Sequence, residues 1–237
     1  NVLFLILIAV ALFAALSYAV TQSTRSGGGN ANNESNLVSS AVLTQQPAGV
    51  HTAVLRMISR GTTIDQLLFN TPSDFDSVSG PIDSANQRYA VFHPSGGGAS
   101  YQKAPADIMA SEAQGTWVYT SDYEVAKVGT SDAGSSDDGN DVIAFLPGVS
   151  EAICEKMNAQ LGIENISAND SVGSNGVPEA GITVTPDFDT HSMTEANPGI
   201  GTDVDQITNT SFDGQQEGCF EIDGGDTFIY YRVLVER

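Results

Sequence analysis

Hydrophobic and polar positions divide the chain into two regimes. From Val2 to Val20 the run is apolar, with Ser17 and Tyr18 its only polar side chains and no charge, Pro or Gly. Its large side chains are Val2, Leu3, Phe4, Leu5, Ile6, Leu7, Ile8, Val10, Leu12, Phe13, Leu16 and Val20. At a rise of ~1.5 Å per residue, a helix over this run approaches the thickness of a bilayer core. The expectation is an apolar stalk helix over residues 1–23 that serves as a filament core or a membrane anchor.

Directly after it, Thr24–Asn33 (TRSGGGNANN) has poor helix propensity. Gly27, Gly28 and Gly29 predict a non-helical joint over 24–33, with a flexible tether as the alternative. A second helical region follows over 34–70. In Glu34–Arg60 the apolar residues Leu37, Val38, Ala41, Val42, Val50, Val54, Leu55 and Ile58 keep a helical period, Pro47 predicts a kink or split, and Gly61 predicts the stop. From residue 71 to 237 the pattern changes to short β-prone runs between turn residues: Tyr89–His93, Thr116–Tyr119, Asp141–Leu146, Gly181–Thr185, Cys219–Ile222 and Phe228–Val235. Ser150–Leu161 predicts a helix, with Ile153, Met157 and Leu161 on one stripe and Gly162 as its stop. The fold class expected is α+β: a stalk helix, then a second amphipathic helix packed on an antiparallel sheet.

An uncharged run of this kind suits a secretory signal, a membrane anchor or a helix buried among its own copies. A signal peptide calls for a basic n-region and a shorter apolar core. No basic residue precedes the run here, so Asn1 is expected to be a processed terminus exposed when a basic leader is cut away. That arrangement resembles the type IV pilin and pseudopilin superfamily over Asn1–Gln22. Family members commonly begin with Phe and carry Glu at the fifth position, where this chain has Asn1 and Leu5. The Glu-less start is similar to archaeal pilins and to the tip pseudopilins of secretion systems. The resemblance implies a helical homopolymer, a prepilin peptidase, a pilus assembly machinery, passage through the inner membrane and an extracellular pilus at the cell surface.

Charge then narrows the function classes. The formal net charge is −20, from 9 basic and 29 acidic residues. Such a surface repels phosphate backbones, so no nucleic-acid partner is expected. The two cysteines, Cys154 and Cys219, predict one structural disulfide, since no Cys-x-x-Cys is present. Pilins similarly bound a variable carboxyl-terminal region with a disulfide. Asp132, Asp137, Asp138 and Asp141 offer oxygen ligands that suit Ca²⁺, but their spacing departs from the EF-hand loop and such Asp/Gly/Ser clusters are more often solvated loops, so no metal site is expected. His51, His93 and His191 are too scattered for a zinc set. Without a nucleophile elbow, phosphate loop or dinucleotide fingerprint, no enzyme activity and no cofactor are expected. The function expected is a structural filament subunit with an acidic head in solvent. The alternatives are a tip pseudopilin and an anchored surface binding domain that never polymerises.

Overall fold

The computed structural model describes residues 4, 6–14, 17, 27–75, 82–129, 140–163, 177–179, 205–207, 209–222 and 227–237. The chain divides into two compact units, Asn1–Val38 and Ser39–Arg237.

In the first unit, helix α1 covers residues 6–14. Over that length it extends about 14 Å, half the ~30 Å of a bilayer core. Among the described residues no helix is long and apolar enough to cross a membrane. The long apolar stalk expected from Val2–Val20 is therefore corrected to a short helix. Leu3, Leu5, Leu16 and Val20 lie outside the described residues, as do Asn1 and Val2.

Helix α2 is Gly27–Ser59. Gly27, Gly28 and Gly29, read as an extended joint, occupy its first turn, where amide N–H groups lack intrahelical partners in any helix. Pro47 lies inside α2 without splitting it. It is buried between Leu43 and Val50 on the packed face, so side-chain packing carries the helix past its missing hydrogen bond. The buried stripe continues through Ala53, Val54 and Met57, whereas Leu37, Val38 and Leu55 are exposed. The helix ends as Gly61 suggested. Gly61 sits at φ +96°, its N–H donates to the Ile58 carbonyl at 2.9 Å, and Thr62 N–H donates to the Met57 carbonyl at 3.2 Å. That pair of bonds is a Schellman closure, and its αL position suits Gly.

The second unit holds a five-stranded sheet. Its strands are β1 (Val118–Val125), β2 (Asp141–Val149), β3 (Asp205–Ile207), β4 (Glu217–Glu221) and β5 (Phe228–Val235), in the order β3-β1-β2-β5-β4. All neighbours are antiparallel except β1 and β3, which pair in parallel through Tyr123–Asp205, Glu124–Gln206 and Val125–Ile207. The wholly antiparallel sheet expected is thus corrected to a mixed one. The long connection from β2 to β3 permits a parallel return, which a tight hairpin cannot make.

Both faces of this sheet are covered, and alternation along the strands sorts the two cores. Val142, Ala144 and Leu146 of β2 and Tyr230 of β5 join Trp117, Tyr119 and the α2 stripe. Ile143 and Phe145, with Ile229, Tyr231 and Val233, point to the other face and meet Phe212, Phe220 and Ile207. This explains the near-continuous apolar run FIYYRVLV, because a strand buried on both faces has no polar side. Helix α3 (Glu151–Leu161) ends at Gly162 in αL, φ +72°, as its sequence indicates.

Among the described residues one expected strand is absent, and the expected strand Gly181–Thr185 lies outside them. Around Tyr89–His93 the chain forms a 3₁₀ turn over Gln87–Tyr89 and a single bridge from Leu68 to Ala90. The glycine-rich loop folds back and takes the backbone bonds instead, with Gly97 N–H donating to the Ala90 carbonyl at 3.1 Å and Ala99 N–H to that of Val91 at 3.0 Å.

Candidate functional site

Helix α1 presents apolar side chains to solvent around its whole circumference. Ile6, Leu7, Ile8, Val10, Leu12 and Phe13 are 41–74% exposed, and Phe4 just before them is 66% exposed. A water-facing helix of a folded domain normally keeps its apolar residues to one stripe. Contiguous exposed apolar surface on this scale marks a surface that meets another apolar body. Ala9, Ala11 and Ala14 intervene between the large residues, so another helix can approach closely.

The disulfide expected from the two cysteines is formed. Cys154 on α3 and Cys219 on β4 are both fully buried, with Cα atoms 5.3 Å apart. Beside it lies a contact that sequence reading missed. The Asn158 amide donates from Nδ2 to the Cys219 carbonyl at 2.7 Å, and its Oδ1 accepts from the Cys219 N–H at 2.9 Å. Asn158 thereby pairs with the outer edge of β4 as a neighbouring strand would. Glu221 N–H completes the cover by donating to the Pro178 carbonyl at 3.0 Å. An open edge invites pairing with another chain, and this one is closed by side chain and loop. The available signal was the i, i+4 spacing of Cys154 and Asn158, which puts both on one face of α3.

Of the candidate calcium ligands, Asp141 is the one among the described residues. Asp132, Asp137 and Asp138 lie outside the described residues. Among the described residues no cluster of His, Cys, Asp or Glu is arranged to hold a metal ion. Asp141 is fully buried at the start of β2 and acts as a backbone clip. Its Oδ2 accepts from Val125 N–H at 3.2 Å and its Oδ1 from Arg237 N–H at 3.1 Å, which ties the chain's carboxyl end to β1. Its pKa is raised to about 7, by burial first and then by the charges of Glu124 and Glu236, with the two N–H bonds pulling against them.

The sign of the consequence follows by linkage. A carboxyl whose folded pKa lies above its unfolded value favours the folded state in full below the unfolded pKa. It loses that advantage as pH rises to the folded pKa. Stability is therefore expected to fall between the usual carboxyl range and about pH 7, by an amount on the order of 2–4 kcal/mol from this group. Asp141→Asn should remove that part of the slope at the cost of one backbone bond, because its amide nitrogen cannot accept. Urea unfolding of both proteins across this pH window checks it, and identical slopes would refute the assignment.

His51 and His93 belong to no metal-holding group among the described residues. His51 is half-buried on α2, with its pKa lowered by burial and then by Arg232. His93 Nδ1 accepts from Ser95 N–H at 3.1 Å, and His191 lies outside the described residues. Compared with protein-family profiles, with curated proteins and with solved structures, the chain matches none.

Proposed function

We propose that this chain is a structural subunit of an extracellular filament of the type IV pilin kind, in which apolar amino-terminal segments of many copies pack against one another. The observation that carries the reading is the exposure of Ile6, Leu7, Leu12 and Phe13 on α1, each more than half open to solvent. Burying each such side chain is worth ~1.5–3 kcal/mol, so a handful per copy outweighs the loss of freedom on association. With a charge of −20 per copy, heads repel, and assembly should strengthen as salt screens them. A leader peptidase, an assembly machine and passage through the inner membrane belong to the same reading.

The test uses the full chain recovered from the cell surface, imaged by electron microscopy and sized by sedimentation. Fibres containing this polypeptide are expected. Leu7→Asp with Leu12→Asp should abolish them while leaving the thermal midpoint of the second unit unchanged. Single particles from the unsubstituted chain would replace this reading with an anchored surface domain. Undiminished fibre yield from the double variant would refute the role of α1.

A further inference from the structure

Arg237, two residues beyond the end of β5, closes the root of the connection between β1 and β2. Its N–H donates to Asp141 Oδ1 at 3.1 Å, and Asp141 Oδ2 accepts from Val125 N–H at 3.2 Å. On its other side lies Gly129, where an added Cβ would sit 2.2 Å from the Arg237 carbonyl oxygen and 2.9 Å from its nitrogen. Gly129 is at φ +62°, so glycine suits both the turn and the close approach. The backbone of Arg237 is thus seated between Gly129 at one end of the connection and Asp141 at the other. The last ladder pair of β5 with β2 is Val142–Val235, so residues 236–237 can leave this seat without breaking the sheet.

The seat depends on a carboxyl group in surroundings that disfavour charge. Asp141 is fully buried, and the charged side chains that act on it among the described residues are both acidic. Glu124, also fully buried, acts from β1, and Glu236 acts from the segment that carries Arg237. A neutral carboxyl keeps acceptor lone pairs on both oxygens, so a proton on Asp141 leaves both N–H bonds in place. An ionised one lacks water and stands beside two like charges, and admitting water relieves it. We propose that Asp141 is a proton-operated latch: protonated, it holds residues 236–237 in the seat beside Gly129, and ionised, it lets them swing out while the sheet stays folded. The latch works independently of filament assembly. Its open form ionises more readily than its closed form, so the open population rises with pH from the ordinary carboxyl range to about 7. Above that the closed form is ionised too, and the rise stops. Global stability changes with the same sign, but the latch opens at far lower free energy because it frees only a few residues.

Amide exchange of the full chain, followed residue by residue by NMR from pH 5 to 7 and corrected for intrinsic rates, tests the latch. Protection at Arg237 is expected to fall at least about tenfold over this range, as release of one proton allows. It should also stay at least about a hundredfold below that of Ile143 and Tyr231 in mid-sheet. Low guanidinium should speed exchange at those two residues and leave Arg237 unchanged, since opening the latch exposes little surface. Asp141→Asn cannot ionise there and should flatten the pH dependence at Arg237. Gly129→Ala keeps Asp141 but fills the seat, so Arg237 should be as unprotected at pH 5 as at pH 7. Protection at Arg237 that is constant from pH 5 to 7, or equal to that of Ile143 and Tyr231 throughout, overturns the proposal. An unaltered pH dependence in Asp141→Asn, or full protection of Arg237 in Gly129→Ala, overturns it as well.

Discussion

Gly97→Ala is expected to lower the thermal midpoint of the second unit by several degrees, while Gly49→Ala raises it. The same methyl group is added in both cases, and only the surroundings differ. At Gly97 an added Cβ would sit 2.4 Å from the Val91 carbonyl oxygen and 2.9 Å from both Val91 Cα and Met57 Sδ. Met57 can yield, but the Val91 backbone cannot, because the loop is fixed on either side of it. Gly97 N–H is bonded to the Ala90 carbonyl at 3.1 Å, and Arg56 on α2 donates to the Gly97 carbonyl. Overpacking against fixed atoms costs ~1–3 kcal/mol, and a backbone clash puts Gly97→Ala at the upper end. For a domain near this size, that is a drop of ~6–12 °C. Gly49 lies on the exposed side of α2 with nothing within 4 Å of an added Cβ. There the methyl only removes the flexibility of a helical glycine, for a gain of ~0.5–1 kcal/mol. Thermal unfolding followed by circular dichroism compares the two, and midpoints that move in the same direction would refute this account of the loop.

That loop also shows where the sequence stops being legible. Strands whose apolar runs exceed a few residues were readable: Phe228–Val235 coincides with β5, and Asp141–Leu146 lies within β2. The helix stops at Gly61 and Gly162 were readable because αL closure leaves a local residue signature. Tyr89–His93 shows the same alternation as a strand, yet the chain there is turned back by Gly96 and Gly97, which approach the Ala90 and Val91 backbone too closely for any side chain. The parallel pairing of β3 to β1 was equally hidden, since three residues after a long connection carry no period. Neither element was accessible to pattern reading, because strand partners are chosen by packing across the sheet. The apolar run of Val2–Val20 identified the exposed surface on α1 but overstated the helix that carries it. Asp141, a possible oxygen ligand in sequence, is buried because it opens β2, whose next five residues are also buried.

Reducing the disulfide, or replacing Cys154 and Cys219 with Ser, should destabilise the second unit by about 4 kcal/mol for a loop of 65 residues, in the chain-entropy account. Asn158→Ala should cost about 2–4 kcal/mol by a separate route, since it leaves the Cys219 N–H and carbonyl buried and unpaired. Both features join α3 to the edge of β4, so their effects should not add. With the covalent link cut, β4 can shift toward water and satisfy its freed backbone groups there, and the Asn158 substitution then removes less. A double-mutant cycle in guanidinium should return a coupling of about 1 kcal/mol or more, and strict additivity would show that the two act independently. Asn158→Asp separates the two hydrogen bonds. A carboxylate there still accepts from the Cys219 N–H but faces the Cys219 carbonyl with a lone pair, so it should be at least as damaging as Ala at neutral pH. Burial and the opposing carbonyl raise the folded pKa of that carboxyl above its unfolded value, so the variant should regain stability as pH falls. A protonated carboxyl restores the missing donor. If Asn158→Asp instead matched the unsubstituted protein at neutral pH, the donor bond to Cys219 would carry none of the stability, and the edge of β4 would be held by the disulfide and the Pro178 contact alone.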